Sequence, residues 1–423
     1  MRKIAFLLIA LTWLTACHDN DEDTSWETPE TATRTVMVYM AGENNLTIYN
    51  NYRYLNNDLK EMIEGSKHLG DNERLLVFVD SMNWKQAGKP VILELHGGEA
   101  TVKHEFSEDF YSCDPSRFKE VLQWMTTNAK AESYGLVLWG HANGWLVSSD
   151  TIADGASRAM ATRAYGQDDG RDMAGGASRW MNITQMARVM ETLPKMSFIF
   201  ADCCNMMCAE VGYELRNVTD YIIGSPAEIP GDGAPYDRIM PYLYKNGNEM
   251  YKGIIDNYYN YYLADYQSDP ALKGYSVPLS VIETKYMDQL AGATYDVLGS
   301  LAPLYPESPD LSGIAFYLYY DAPVMYDMKA VIKANAPADD YARWENSFRL
   351  AVPYSRMSME WMTIYTMLEL SFSSFNKDEA SYGCVSMFVP RNTQMYNLGT
   401  FHFNNTYKVY GWSQRVNWQR FGW

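Results

Sequence analysis

A chain of 423 residues and 48.4 kDa is long enough for one large domain or two ordinary ones. With 47% hydrophobic and 21% charged residues its composition is globular, which excludes a disordered or low-complexity chain. Its 52 acidic residues outnumber 35 basic ones, and a net charge of −17 repels phosphate backbones, which excludes nucleic acid as the expected partner despite 14% aromatic residues.

The chain opens on the basic Met1-Arg-Lys3, the 13-residue apolar run Ile4–Ala16 and, within its end, Leu14-Thr-Ala-Cys17. The run is shorter than the roughly 18–20 residues of a membrane span and has the layout of a secretory signal. Leu-Thr-Ala-Cys resembles a bacterial lipobox, which implies removal of residues 1–16 and lipidation of the Cys17 sulfur. His18-Asp-Asn-Asp-Glu-Asp23 resembles the surface-export signal of Bacteroidetes lipoproteins. The two resemblances together imply an exported, surface-exposed protein anchored by lipid to the bacterial outer membrane. Loss of Arg2 and Lys3 takes the net charge from −17 to −19. The acyl chain, not charge, would therefore make the membrane contact.

Residues 17–33, rich in Asp, Glu, Thr and Pro, read as a flexible acidic tether. Arg34–Ala41 is expected to be a buried strand running into the loop Gly42-Glu-Asn-Asn-Leu46. Helical spacing over Tyr49–Gly65, a strand at Arg74–Asp80, and two β-rich runs around Gly97-Gly98 (Val91–His96 and Thr101–Phe106, a hairpin) come next. Pro115–Thr127 is an expected helix and Gly135–His141 a third core strand. Ser148–Gly176 has no periodicity and mixes aspartates with Arg158, Arg163 and Arg171. A loop of this length inside a domain is functional or disordered. A helix at Ile183–Leu193, a strand at 198–202, a helix from Met206 to Arg216 and a strand at Tyr221–Gly224 complete an alternation that predicts right-handed crossovers and a parallel sheet. Beyond residue 255 the pattern is coarser: helices at Tyr258–Tyr266 and Tyr286–Leu298, strands at Val277–Ile282 and Tyr382–Pro390, and an aromatic closing helix at Trp412–Trp423.

Two strands end in chemistry. Gly135-Leu-Val-Leu-Trp-Gly-His141 delivers a histidine, and Phe198-Ile-Phe-Ala-Asp-Cys-Cys204 delivers cysteines 63 positions later (204 − 141). Ligands of open α/β sheets bind at the carboxyl edge, so the pair predicts an imidazole base beside a thiol nucleophile. Strand alternation puts Cys203 and Cys204 on opposite faces, so only one can meet His141. Of six cysteines, the expected lipidation of Cys17 leaves an odd five; there is no CxxC pair for zinc, and Cys204 and Cys208 are spaced i,i+4, as on one helix face. The aspartates of 148–172 read as a solvated loop without the EF-hand pattern. No metal ligands and no cofactor are therefore assigned, and calcium is left open. A lone histidine or cysteine is ordinarily structural; it is the pairing at two strand ends that argues for catalysis.

These residues resemble a family. A strand ending in a His-Gly-like turn, then a strand ending in Asp-x-Cys, is the layout of caspase-fold cysteine peptidases, and the detail resembles the clostripain family. Val38-Tyr-Met-Ala-Gly-Glu-Asn-Asn-Leu46, Trp139-Gly-His-Ala-Asn-Gly144, Asp202-Cys-Cys-Asn-Met206, Gly231-Asp-Gly233 with Tyr236, Met325–Lys329 and Gly383–Pro390 carry the similarity. It implies a caspase-like αβα sandwich with a mainly parallel central sheet over residues 34–255 and a C-terminal α+β extension over 256–423. It also implies a cysteine endopeptidase acting on protein or peptide substrates. His141 would be the acid/base, Cys204 the nucleophile, and the N–H groups of Ala142 or Asn143 and of Cys204 the oxyanion hole. Asp202 would line the primary specificity pocket and select Arg or Lys. Self-cleavage is implied between His141 and Cys204, with Arg158 and Arg163 as candidate points. Ala142 and Cys203 depart from the family's usual Gly and Ala. The alternative is a surface lipoprotein of the same fold that binds peptide or glycan without cutting.

Overall fold

Alternation along β1 (Ala32–Gly42) sets up the architecture. Val36, Val38 and Met40 point into one apolar cluster, and Met37, Tyr39 and Ala41 into another on the opposite face of the sheet. A strand buried on both faces reads as a continuous apolar run and needs helices above and below it. The computed structural model describes residues 28–47, 53–82, 89–146, 164–170, 176–266, 275–304, 309–319, 323–358, 360–363, 368–371, 379–390 and 403–421. The expected signal peptide, Cys17, Arg158 and Arg163 lie outside these residues.

The further strands are β2 (Glu73–Ser81), β3 (Val91–His96), β4 (Glu99–Glu105), β5 (Ala131–Gly140), β6 (Tyr165–Asp168), β7 (Arg179–Met181), β8 (Phe198–Asp202), β9 (Tyr221–Gly224), β10 (Leu279–Glu283), β11 (Tyr326–Asp327), β12 (Tyr354–Arg356), β13 (Glu360–Thr363), β14 (Leu368–Ser371) and β15 (Ser386–Met387). Nine form one sheet in the order β12-β10-β9-β8-β5-β1-β2-β3-β4. β2, β1, β5, β8 and β9 run parallel, while β3 and β4 on one side and β10 and β12 on the other pair antiparallel. Helices Tyr54–Gly65, Tyr236–Leu243 and Gly247–Tyr266 pack on one face. Pro115–Asn128, Ile183–Met190 and Met287–Leu301 pack on the other. The result is the expected αβα sandwich, with β10 and β12 from beyond residue 255 joining the same sheet. β1 has β2 on one side and β5 on the other, so the chain reverses its direction of travel across the sheet there. The carboxyl ends of β1 and β5 flank that switch point, the usual place for a ligand crevice.

Local signals explain some element ends. Pro115 at the first helical turn and Asp114, whose Oδ1 accepts from Ser116 N at 2.7 Å, start the helix Pro115–Asn128. Several boundaries differ from the sequence expectation. The helix expected from Met206 begins only at Ala209. Asn205 takes the left-handed φ of 59°, and Met207 N donates to Ser225 O at 3.0 Å, so residues 203–208 form a turn. Cys204 and Cys208 are thus not on one helix face. The helix at 183 stops at Met190, and the closing aromatic segment is a helix Gly411–Val416 broken by the left-handed Asn417 before a 3₁₀ turn Trp418–Phe421. Within the patternless stretch 148–176, Tyr165–Asp168 pairs with Arg179–Met181 as a short antiparallel ribbon. Only Ser386–Met387 of the expected strand 382–390 is a strand, paired to Tyr326–Asp327. Among the described residues no helix is long and apolar enough to cross a membrane.

The C-terminal segments lock onto the cysteine turn. Asp327, fully buried, accepts from Tyr317 Oη at 2.7 Å, Ala330 N at 2.9 Å and Cys384 N at 3.1 Å. The segment so held then reaches the turn after β8: Ser386 N donates to Met207 O, and Phe388 N to Glu210 Oε1, each at 2.9 Å.

Candidate active site

The turns after β5 and β8 touch. Gly144 has a φ of +59°, and a Cβ there would stand 2.4 Å from Asn205 O, so only glycine lets the two turns close up. Gly140, at φ +137°, likewise lies where a Cβ would come 2.8 Å from Ala41 O, tying the histidine turn to β1. Alternation then sorts the side chains. Val137 and Trp139 of β5 and Phe198 and Phe200 of β8 share one face, and His141, Asp202 and Cys204 follow in the same parity. Cys204 packs against that face, whereas Cys203 and Cys208 are buried in the core of the opposite one. The two adjacent cysteines are separated by the sheet, as alternation requires.

His141 lies just past β5, partly exposed, with Nε2 2.6 Å from Asn45 Oδ1. With the amide oxygen as acceptor, Nε2 carries the hydrogen. Trp180 of β7 places its ring 6.4 Å from the imidazole, centre to centre. The histidine turn is fixed from behind by β6: Gly166 N donates to His141 O and Asn143 N to Ala164 O, both at 2.8 Å. Asn143 N–H is therefore committed to the Ala164 carbonyl. Ala142 has no positive φ, so its Cβ is compatible with the turn.

Cys204 is partly exposed, and its Sγ accepts from Ile229 N at 3.5 Å. Burial, with Glu228 as the next cause, pushes its thiol up to about 12. The resting sulfur is thus a protonated thiol. The loop after β9 carries Glu228 and Ile229 and is itself bonded to the cysteine turn, Asn205 N donating to Ala227 O at 2.9 Å.

Asp202 is buried beside the cysteine. Its Oδ2 accepts from Tyr236 Oη at 2.8 Å and Ala234 N at 3.1 Å, and its Oδ1 from Tyr258 Oη at 3.0 Å. Burial still holds its carboxyl above the usual range. A second buried carboxylate, Asp58, faces it across Gly233: a Cβ on that glycine would meet Asp58 Oδ2 at 2.8 Å and Asp202 Oδ2 at 2.9 Å. Asp58 accepts from Trp139 Nε1, while its Oδ1 has no hydrogen-bond partner. Burial and then Asp202 push it well up. Glu61, one helical turn on, is raised by burial to about 7. Sequence reasoning missed Asp58, Asn45 as the histidine's partner, and Trp180. Asn45 lay in a quoted motif, but nothing in its spacing pointed across 96 positions to His141.

Comparison with known proteins identifies the family. A model of the clostripain family matches residues 38–423. A secreted C11 cysteine protease from Bacteroides thetaiotaomicron, solved with an irreversible peptide inhibitor, is 26% identical over 92% of this chain and 100% of its own, with a TM-score of 0.72. An inactive zymogen C11 protease from Parabacteroides distasonis is 26% identical over 92% of this chain and 99% of its own, with a TM-score of 0.71. No curated protein matches the chain. With a cysteine turn and a histidine turn in contact at one edge of the sheet and a family match across nearly the whole described chain, the protein belongs to the clostripain family and is a cysteine peptidase.

Proposed function

We propose that the chain is an endopeptidase that cuts after Arg or Lys through Cys204 and His141. His141 takes the thiol proton as Sγ attacks the scissile carbonyl; the Ala142 and Cys204 N–H groups hold the oxyanion; and His141 returns the proton to the leaving amine. Water then releases the acyl group from the sulfur. The observation that carries this reading is the contact of the two turns, with His141 oriented by Asn45 and both side chains in the same parity of the sheet. The preference for a basic residue is supported by Asp202 and Asp58, two buried carboxylates held apart by one glycine, which a guanidinium or ammonium would neutralise. The high resting position of the thiol supports an activation step, for which cleavage at Arg158 or Arg163 is the candidate; one similar structure is itself an inactive zymogen. Export and anchoring through Cys17 complete the proposal.

The test uses fluorogenic peptides ending in Arg, Lys, Phe or Asp under reducing conditions, beside Cys204→Ala, His141→Ala and Asp202→Asn. Turnover of Arg or Lys peptides is expected, abolished in the first two variants and weakened for basic peptides in the third. Cleavage confined to Phe or Asp peptides would overturn the specificity. Silence on all of them, with no nicking between residues 145 and 204, would favour a binding protein of the same fold.

A further inference from the structure

Asp202 has a neighbour that the reaction does not use. Trp139 of β5 and Asp202 of β8 are register partners, and His141 and Cys204 stand two residues further along their strands. The Trp139 indole N–H donates to Asp58 Oδ2, which sets that carboxyl over this rung of the sheet. A two-residue step along a strand is about 6.5 Å, within reach of an arginine or lysine side chain whose backbone lies at Cys204. The two carboxyls are unequally satisfied. Asp202 accepts three hydrogen bonds, from Tyr236 Oη, Ala234 N and Tyr258 Oη. Asp58 is 1% exposed, and its Oδ1 accepts none. The gap between the two exists because residue 233 is glycine at φ +60°, where a Cβ would come within 2.9 Å of both. Two carboxyls this close and out of water cannot both ionise without a cation, so the pair keeps a proton. The groups named around the pair are acids or neutral hydrogen-bond donors. Asp202, Glu61 and Asp232 are the charges that bear most on Asp58. Burial holds the phenols of Tyr236, Tyr258 and Tyr262 well above their usual range, and the Cys204 thiol at about 12. Of the helix Tyr236–Leu243, Asp237 acts on Glu61, while the Arg238 guanidinium lies over the Tyr261 ring at 4.9 Å.

We propose that Asp58 exchanges a proton for the substrate's charge: the Asp58–Asp202 pair holds a proton while the pocket is empty and releases it when an Arg or Lys side chain enters. The O–H of the pair gives its proton to solvent, and the incoming guanidinium or ammonium supplies the positive charge in its place. A neutral side chain leaves the proton where it is. The sign of the linkage follows. Binding that releases a proton tightens as pH rises, by up to about tenfold per pH unit, until the empty pair has already lost its proton. A single ionised carboxylate would give no such slope. The inference rests on the proposed preference for a basic residue, and it assigns to Asp58 the pH dependence of that preference.

The test titrates the full chain, made inert by Cys204→Ala, with a short peptide ending in arginine amide. Calorimetry in phosphate and in Tris at one pH counts the protons exchanged, since the observed heat then varies with the buffer's ionisation enthalpy. About one proton released per peptide is expected near neutral pH, with Kd falling as pH rises. The same peptide ending in citrulline, the neutral isostere of arginine, is expected to release none. Asp58→Asn copies the protonated acid and keeps an acceptor for the Trp139 indole. It is expected to bind the arginine peptide with no proton released and a Kd that no longer changes with pH. Glu61, one helical turn on and raised to about 7, is the competing proton source, so Glu61→Gln is titrated beside it. Release lost in Glu61→Gln and kept in Asp58→Asn, or kept in both, would overturn the assignment. Should Asp58→Asn not fold, the proton count and the citrulline comparison still decide the exchange, and Glu61→Gln decides its source. Arginine binding with no proton released would sink this inference and leave the basic preference standing. No binding of the arginine peptide at all would sink both.

Discussion

Replacing Gly144 by alanine tests whether the contact between the two turns sets the rate. The new Cβ would stand 2.4 Å from Asn205 O, about 1 Å short of an ordinary contact near 3.4 Å, and 3.2 Å from Met325 Cε. Neither turn can yield freely. Asn205 N is bonded to Ala227 O at 2.9 Å, and Asn143 N to Ala164 O at 2.8 Å. The φ of +59° adds a left-handed cost of about 1 kcal/mol, and the overlap about 1–3 kcal/mol more. If the clash is relieved by moving the histidine turn about 1 Å from the cysteine turn, kcat/KM should fall about 100-fold. Gly97→Ala is the control: its φ is +60°, but no atom lies within 4 Å of its Cβ, so it carries the strain without the displacement. The assay is hydrolysis of a cleaved fluorogenic peptide below the Tm of every variant, with urea unfolding for stability. A Gly144→Ala enzyme with wild-type kcat/KM, or one no slower than Gly97→Ala, would refute the argument.

Asn45 is exposed, so Asn45→Ala should change stability by no more than about 0.5 kcal/mol. Its kcat should nevertheless fall roughly 10- to 100-fold as His141 loses its orienting partner, at unchanged KM; an unaltered kcat would show that Asn45 is incidental. Glu228→Gln removes a negative charge that helps to push the Cys204 thiol up to about 12. The pH midpoint of iodoacetamide alkylation at Cys204 should therefore move down, and a midpoint that stays or rises contradicts the assignment. Glu210 is fully buried, and burial raises it from 4.5 to about 7. The folded state thus binds its proton more tightly than the unfolded state does, and stability is lost as pH rises from about 4.5 to about 7. The loss amounts to about 3 kcal/mol. Glu210→Gln should melt higher than wild type at pH 8, with the gain vanishing near pH 4; a gain of equal size at both pH values would refute the titration.

The central strands were legible because each is a short apolar run buried on both faces, bounded by loop chemistry at its carboxyl end. Burial on both faces leaves a trace along the interior of β1, β2 and β5 and in every residue of β8. The Pro115 start of a helix was equally readable, because its signal lies within the first turn. The turn at 203–208 was not. Met206 to Arg216 has helical spacing, but Asn205 in the left-handed region and bonds to the distant loop 225–227 claim the backbone of its first residues. β6 escaped notice since four residues of Tyr-Gly-Gln-Asp carry no periodicity, and only pairing with Arg179–Met181 makes them a strand.

The sequence by itself determined the alternation of strand and helix behind the parallel sheet, the strand ends that bear His141 and Cys204, and the segregation of Cys203 from Cys204, since all three are patterns written along the chain among near neighbours. The tertiary structure alone decided which groups surround those residues. Asn45 meets His141 across 96 positions, Trp139 meets Asp58 across 81, and Glu43, Asp80 and Asp168 converge from three separate strands and loops. Hydrophobic burial is set residue by residue and leaves a local pattern. A hydrogen bond or a close approach between distant side chains depends on the register of one strand against another, and no pattern along a single strand records that register.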